Sequence, residues 1–318
     1  MSTYLLKFLL GTLICLLLSG GVIQAQDAAL DACQQMVDTA IDDLASNCAN
    51  MVPNSACYGG GLVEAVFYDS FAVPVDVFTT PGDHVDLRMV EQIISEGHEL
   101  DNGWGVTVMQ TQGSVPFDDG TSPIMILFGD SSIINGVLPE DAVDIAVNEG
   151  EQTPMQTFTL ELGEDNPNCP EAITGLMLQL TAGNEVNFQG NKADLQLVAE
   201  ICTNVFFRQN TPEDSSLILE VTSGQVTIFA DTIFPIILTT GYQITLPLDE
   251  DGYFIVPEAN EEYQAIFDTI QIMSDEELAR LARLEDLPLN VLECPFTLPE
   301  IIRPSGVGDP DTIIIPSS

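Results

Sequence analysis

Between Leu195 and Pro247 the chain reads LQLVAEICTNVFFRQNTPEDSSLILEVTSGQVTIFADTIFPIILTTGYQITLP, a nearly unbroken series of short strand-like runs. Branched and aromatic side chains pack well on a pleated, half-buried surface and lose rotamer freedom in a helix. A β domain follows. At its centre LILEVT and QVTIF flank Ser223-Gly224, and a two-residue connection containing glycine between two β-branched runs predicts a hairpin. The rest of the chain leads into this stretch or closes the domain behind it.

Ahead of it, LVEAVFYDSFAV, WGVTVMQTQ, SPIMILFGD and MQTFTLELG read as strands, separated by clusters of Gly, Pro, Asn and Asp. ITGLMLQLTA and NEVNFQG continue the pattern, while Asp86 to Ser95 fits a short helix as well as a strand. Two segments differ. Leu30, Cys33, Val37, Ile41, Leu44 and Cys48 recur at spacings of three and four, the stripe of an amphipathic helix that carries its cysteines inward. Ser274 and Glu277 form a capping box ahead of Leu278, Leu281 and Leu284, and Pro288 stops that helix. The predicted fold class is therefore mainly β, a sandwich or roll-like arrangement with an N-terminal amphipathic helix and a C-terminal helix. The expected boundary is Gly163 to Pro170, GEDNPNCP, which divides a helix-plus-β part at 26–163 from a β part with its helix at 164–302. Residues 303–318, rich in Pro and Gly, are expected to form a flexible tail.

The chain opens with Lys7, an apolar run from Phe8 to Leu18, and small residues through Ala25. This is the pattern of a secretory signal peptide over residues 1–25, too short and too interrupted for a membrane span. No other apolar stretch of spanning length follows, so the expected location is secreted or extracytoplasmic in a bacterium. Forty-nine Asp and Glu stand against seven Lys and Arg, a formal charge of −42, which repels nucleic acid and anionic membrane surfaces. At 45% hydrophobic residues the chain still sustains a core, and the acidity reads as a solvated surface.

Six cysteines follow the signal: Cys33, Cys48, Cys57, Cys169, Cys202 and Cys294. An even set in an exported chain predicts disulfides, with fifteen pairings to choose from. Cys33 with Cys48 is disfavoured, because a continuous helix would separate them by about 22 Å. The spacing lacks the paired CxxC of structural zinc, and no cofactor is indicated.

LILEVTSGQVTIF followed by FPIILTTGYQITLPLDEDG resembles the β repeat of FecR-type domains, in which short strands alternate with V-x-x-G-x-V and L-x-x-G turns. The resemblance spans residues 178–247 and implies an extracytoplasmic β scaffold for recognition or assembly, with a protein or envelope component as partner. The signalling role of the family's envelope sensors does not carry over on these residues. The opening, with Cys33, Cys48, Asn54-x-x-Cys57-Tyr58-Gly59, Pro81-Gly82-Asp83 and Trp104-Gly105-Val106, resembles uncharacterised secreted bacterial proteins and implies location alone.

Three motifs carry candidate chemistry. Ile126-Leu127-Phe128-Gly129-Asp130-Ser131 resembles the nucleophile block of GDS-type esterases, but such a serine needs a histidine downstream, and His84 and His98 both precede it. A turn after a strand is the simpler reading. Cys57 with Gly61-Leu62-Val63, Pro81-Gly82-Asp83 and His84 or His98 resembles NlpC-type cell-wall cysteine hydrolases, which pair a thiolate with a histidine. Using Cys57 in this way leaves an odd number of cysteines. Asp249, Asp251, Gly252 and Glu258 take the third, fifth, sixth and twelfth places of a calcium loop whose first place is Pro247. The leading expectation is a non-catalytic scaffold with no catalytic residues. A cysteine hydrolase using Cys57 and a calcium-stabilised adhesion or structural module are the alternatives.

Overall fold

The computed structural model describes residues 30–49, 51–74, 76–97, 103–112, 122–143, 151–167, 169–181, 184–199, 202–211 and 214–300. The signal segment at 1–25, His98 and the tail at 303–318 lie outside them. Two sheets face each other. The larger has nine strands in the order β17-β16-β13-β12-β9-β6-β5-β1-β3. Its members are β1 (Ser55–Gly60), β3 (His84–Asp86), β5 (Val106–Gln110), β6 (Ile124–Phe128), β9 (Gly175–Leu180), β12 (Thr203–Thr211), β13 (Asp214–Ser223), β16 (Tyr242–Pro247) and β17 (Gln271–Ile272). The smaller has eight, in the order β15-β14-β11-β10-β8-β7-β4-β2. They are β2 (Val63–Phe67), β4 (Val90–Ser95), β7 (Ser131–Asn135), β8 (Thr157–Leu162), β10 (Asn184–Gly190), β11 (Ala193–Ala199), β14 (Gln225–Ile228) and β15 (Ile236–Thr239). The helices are α1 at residues 30–47, α2 (Asn260–Phe267) and α3 (Asp275–Leu281). Asp86 to Ser95 resolves into a single 3-10 turn at Leu87–Met89 and then β4.

From β4 onward the chain advances across the molecule by alternating between the sheets, usually two strands at a time. Both sheets run through the segment read as a boundary. β6 pairs with β9, and β8 lies parallel to β10, so the strands on either side of Gly163 to Pro170 are adjacent parts of the same sheets. One apolar core fills the space between them, from Ala56 through Ile266.

A second core explains the pattern of the central strands. In β6, Met125 and Leu127 face the inter-sheet core, while Ile124, Ile126 and Phe128 face the opposite side. β5, β9 and β12 divide the same way, with Val106, Val108, Met177 and Phe206 on the outer face. There they meet Met36, Val37, Ala40 and Leu44 of α1, Leu281 of α3, and Leu284 to Phe296 beyond it. Burial on both faces makes SPIMILFGD a continuous apolar run, where β14 and β15 alternate because only one of their faces is covered.

The expected hairpin at Ser223-Gly224 is not formed. β13 belongs to the large sheet and pairs with β12 and β16, whereas β14 belongs to the small sheet and pairs with β11 and β15. Ser223-Gly224 is the corner at which the chain leaves one sheet for the other. Gly224 has φ +80°, and a Cβ there would stand 2.0 Å from Thr203 Oγ1 and 2.9 Å from its Cα. Both turn and corner require a left-handed glycine, so the local sequence does not distinguish them; pairing partners elsewhere do. A true two-residue hairpin joins β10 to β11 through Asn191-Lys192, both at positive φ as a type I′ turn demands. Gly224→Ala is expected to destabilise the fold by about 1–3 kcal/mol through backbone strain and overpacking against Thr203. Urea denaturation checks this as a lowered midpoint at unchanged slope.

Candidate functional site

The outer layer on the large sheet concentrates the unusual chemistry. Three disulfides hold it: Cys33–Cys169 ties α1 to the β8–β9 connection, Cys48–Cys57 ties the end of α1 to β1, and Cys202–Cys294 ties the C-terminal segment to the start of β12. Two of the three thus staple the outer layer to strands of the large sheet, and the third ties α1 to a loop beside it. Gln179 on β9 reinforces Cys202–Cys294, its amide donating to the Cys294 carbonyl at 3.0 Å and accepting from the Glu293 N–H at 3.0 Å.

Beside these staples lies a buried charge cluster. Phe206, Glu220 and Gln243 stand in register across β12, β13 and β16, on the face that α3 covers. Glu220 is 0% exposed. Its carboxylate accepts from Arg208 Nε at 2.8 Å and Arg280 Nη2 at 2.6 Å, so two guanidinium groups share one carboxylate. Arg280 lies 5.2 Å over the Phe206 ring. Glu277, one turn earlier on α3, closes the cluster. Its Oε2 accepts from the Ser274 N–H at 2.5 Å as the capping box, and its Oε1 accepts from Gln243 Nε2 at 2.5 Å and Arg208 Nη2 at 3.2 Å. Burial pushes the Glu277 carboxyl upward, but the Ser274 N–H, the Gln243 amide and the Arg208 charge outweigh it and hold it below its ordinary value. Burial likewise pulls the Arg280 guanidinium down, against the opposing pull of Glu220.

A cleft of about 610 Å³ opens beside the cluster, between α3 and the β8–β9 connection, lined by Asp165, Glu171, Arg208, Glu277, Arg280 and Arg283 among others. Arg280 Nη1 stands 3.8 Å from Asp165, close enough for charge attraction but without a hydrogen bond. Arg283 pairs with Asp38 of α1, with Glu171 at 3.3 Å and with Asp286 at 2.8 Å. The arrangement clamps α3, α1 and the large sheet together by ion pairing. Its arginines face more carboxylates than they can neutralise, so it offers no net attraction to an anion.

The six cysteines expected to form disulfides all do so in this layer, whereas the three motifs with candidate chemistry do not converge on a site. Ser131 is buried at the start of β7, with its Oγ donating to the Phe128 carbonyl at 2.9 Å, and Gly129 at φ +65° turns the chain between sheets. The GDS motif is a corner. Cys57 is fully buried and bonded to Cys48, so it carries no thiol to ionise, and His84, its register partner on β3, is exposed. The nucleophile reading of Cys57 is corrected on that ground. Asp249 Oδ1 accepts from the N–H groups of Asp251 and Tyr253, both at 2.9 Å, which closes a local acidic turn. Among the described residues no group of three or more His, Cys, Asp or Glu is placed to hold a metal, so Asp249, Asp251 and Glu258 do not form one. Trp104 is buried, stacked on Phe128 at 5.3 Å, and donates from Nε1 to the Ile173 carbonyl at 2.9 Å.

Sequence reasoning missed Glu220, Arg208 and Arg280. Two signals point to them: a glutamate within the apolar run LILEVT, and the scarcity of cations, which makes each arginine informative.

No family model and no curated protein matches the chain. Two solved structures of a "putative anti-sigma factor" from Parabacteroides distasonis are similar to part of it, at 11% and 15% identity and TM-scores of 0.25 and 0.24. They cover 46% and 47% of this chain, which in turn spans 57% and 58% of theirs. A likeness at that level carries no argument about this protein.

Glu220→Ala is expected to cost about 3–5 kcal/mol in a urea unfolding measurement, because it strips the buried Arg280 of its hydrogen-bonded carboxylate and leaves it beside Arg208, which keeps only Glu277. The Glu277 clamp is acid-sensitive. Since its folded carboxyl lies below the ordinary value of 4.5, the unfolded chain binds that proton first, and the stabilisation present above about pH 4.5 is lost as pH falls through the folded value. Unfolding midpoints at about pH 6 and about pH 3.5 check this, with a smaller difference expected in Glu277→Gln.

Proposed function

We propose that the chain acts outside the cytoplasmic membrane as a non-catalytic β scaffold for recognition or assembly, with a protein or envelope component as its partner. The observation that carries this reading is the three-disulfide staple of the outer layer, since buried structural disulfides persist in oxidising compartments. Charge supports it as well. The five Lys and Arg among the described residues are each engaged internally, Arg88 with Asp86, Lys192 over the Tyr253 ring, and the other three in the clamp. The acidic groups outside these pairs give the surface its negative field, which favours a partner of neutral or basic character over nucleic acid.

Alkylating the mature, unreduced protein and weighing it intact tests the reading. The expected result is no free thiol among the six cysteines. A reactive thiol at Cys57 would overturn it, and peptidoglycan turnover that disappears in Cys57→Ala would assign a cell-wall hydrolase instead.

A further inference from the structure

Two of the three disulfides are shut inside the outer core, and the third is not. Cys33, Cys48, Cys57 and Cys169 are at most 1% exposed and belong to the apolar cluster that includes Leu44, Trp104 and Met177. Cys202 and Cys294 are half-buried and belong to neither core, and Glu293 and Pro295 on either side of Cys294 are exposed. A disulfide exchanges when a thiolate attacks one sulfur and the other leaves, so access and the stability of the leaving thiolate decide which bond reacts. Access favours Cys202–Cys294.

The leaving group is provided for as well. Asn204 Nδ2 donates toward Cys202 Sγ from 3.9 Å. Asn204 is fully buried, and Gln179 Nε2 donates to its Oδ1 at 2.8 Å, which fixes the amide with its N–H groups toward the sulfur. A hydrogen bond to a charged acceptor is the stronger kind, so this amide favours a thiolate at Cys202. In the outer core, desolvation disfavours a thiolate at the other four sulfurs.

This bond also secures a segment with few other holds. Residues 287–300 contain no helix or strand, and Leu289 to Glu293 line a cavity of about 240 Å³ with Val108, Gln110 and Ile124 of the large sheet. Leu287, Val291, Leu292 and Phe296 are buried there. Gln179 Oε1 accepts from the Glu293 and Cys294 N–H groups, Asn290 Nδ2 donates to the Ala45 carbonyl at 2.7 Å, and the Leu298 N–H donates to Glu285. Four buried apolar side chains and a few hydrogen bonds must offset the ordering of fourteen residues. A crosslink in the middle of the segment tips that balance.

We propose that Cys202–Cys294 is a thiol–disulfide exchange site, opened by a dithiol reductant, that latches the C-terminal segment to the large sheet. One thiolate of the dithiol attacks Cys294 Sγ, the S–S bond breaks, and its electron pair leaves on Cys202 Sγ beside Asn204. The second thiolate attacks the dithiol's own sulfur in the mixed disulfide and frees the Cys294 thiolate. Each cysteine takes up one of the two protons that the dithiol gave up. Two electrons pass from the dithiol, now a disulfide, to the protein. Residues 287–300 then come off the sheet, while the other two disulfides keep α1 in place. The latch goes beyond the scaffold reading and does not depend on its partner.

Titrating the full mature protein with dithiothreitol in the absence of denaturant, quenching by alkylation and reading each cysteine by mass spectrometry tests the exchange site. Cys202 and Cys294 are expected to be labelled at least tenfold faster than the other four. Labelling of all six at one rate overturns the proposal, because the bond then opens only with the whole fold. Earlier labelling of Cys33 with Cys169, or of Cys48 with Cys57, overturns it too. Amide hydrogen exchange of the selectively reduced protein tests the latch. The Glu293 and Cys294 amides are expected to exchange at least tenfold faster than in the oxidised protein, while the β6 amides are unchanged. Unaltered exchange at Glu293 and Cys294 sinks the latch. A double variant, Cys202→Ser with Cys294→Ser, is expected to show the same fast exchange without reductant, and slow exchange in it counts equally against the latch.

Discussion

The large sheet carries apolar side chains on both faces, and this constraint governs the rest of the molecule. A sheet of that kind must be covered twice. The small sheet covers one face through the inter-sheet core, and α1, α3 and the segment through Phe296 cover the other. The second cover is assembled from the two ends of the described chain, so its closure joins residues far apart in sequence. The disulfides act at this junction, with two of the three closing loops of 136 and 92 residues. Long loops are the ones whose closure removes most entropy from the unfolded ensemble, in the chain-entropy view.

Electrostatics follows the same architecture. In a chain so acidic, cations placed at random would be lost among carboxylates, yet two of them, Arg208 and Arg280, meet on Glu220 beneath α3. There Glu220 is fully desolvated and would be unfavourable alone; two guanidinium groups make its burial tolerable. A buried ion cluster of this kind adds little net stability over a well-packed apolar one, but it is demanding in geometry. It fixes the rotation and height of α3 on the sheet, which an apolar contact of the same area would leave looser. Glu277 links that requirement to helix formation, because one carboxylate caps α3 and anchors it.

Legibility in the sequence differed by interaction range. The stripe of α1, the capping box of α3 and most strand-like runs were readable, because each rests on spacing within a few residues. Ser223-Gly224 marks the limit. Its left-handed glycine between β-branched runs serves a hairpin and a corner equally, and only the partners of β13 and β14 distinguish them. Gly129-Asp130-Ser131 fails for the same reason, with a sheet-to-sheet corner mimicking a nucleophile turn. The charge cluster was hidden because Arg208, Glu220 and Arg280 come from three separate elements.

The sequence by itself determined the β class, the two terminal helices, the acidic surface and an even set of cysteines, since composition and short-range periodicity suffice for each. Which cysteine meets which, whether adjacent strands share a sheet, and that Glu220 finds two arginines were decided only by tertiary structure. Those outcomes depend on pairing between segments tens of residues apart. Local preference is indifferent among such pairings, and the covering of two sheet faces selects one.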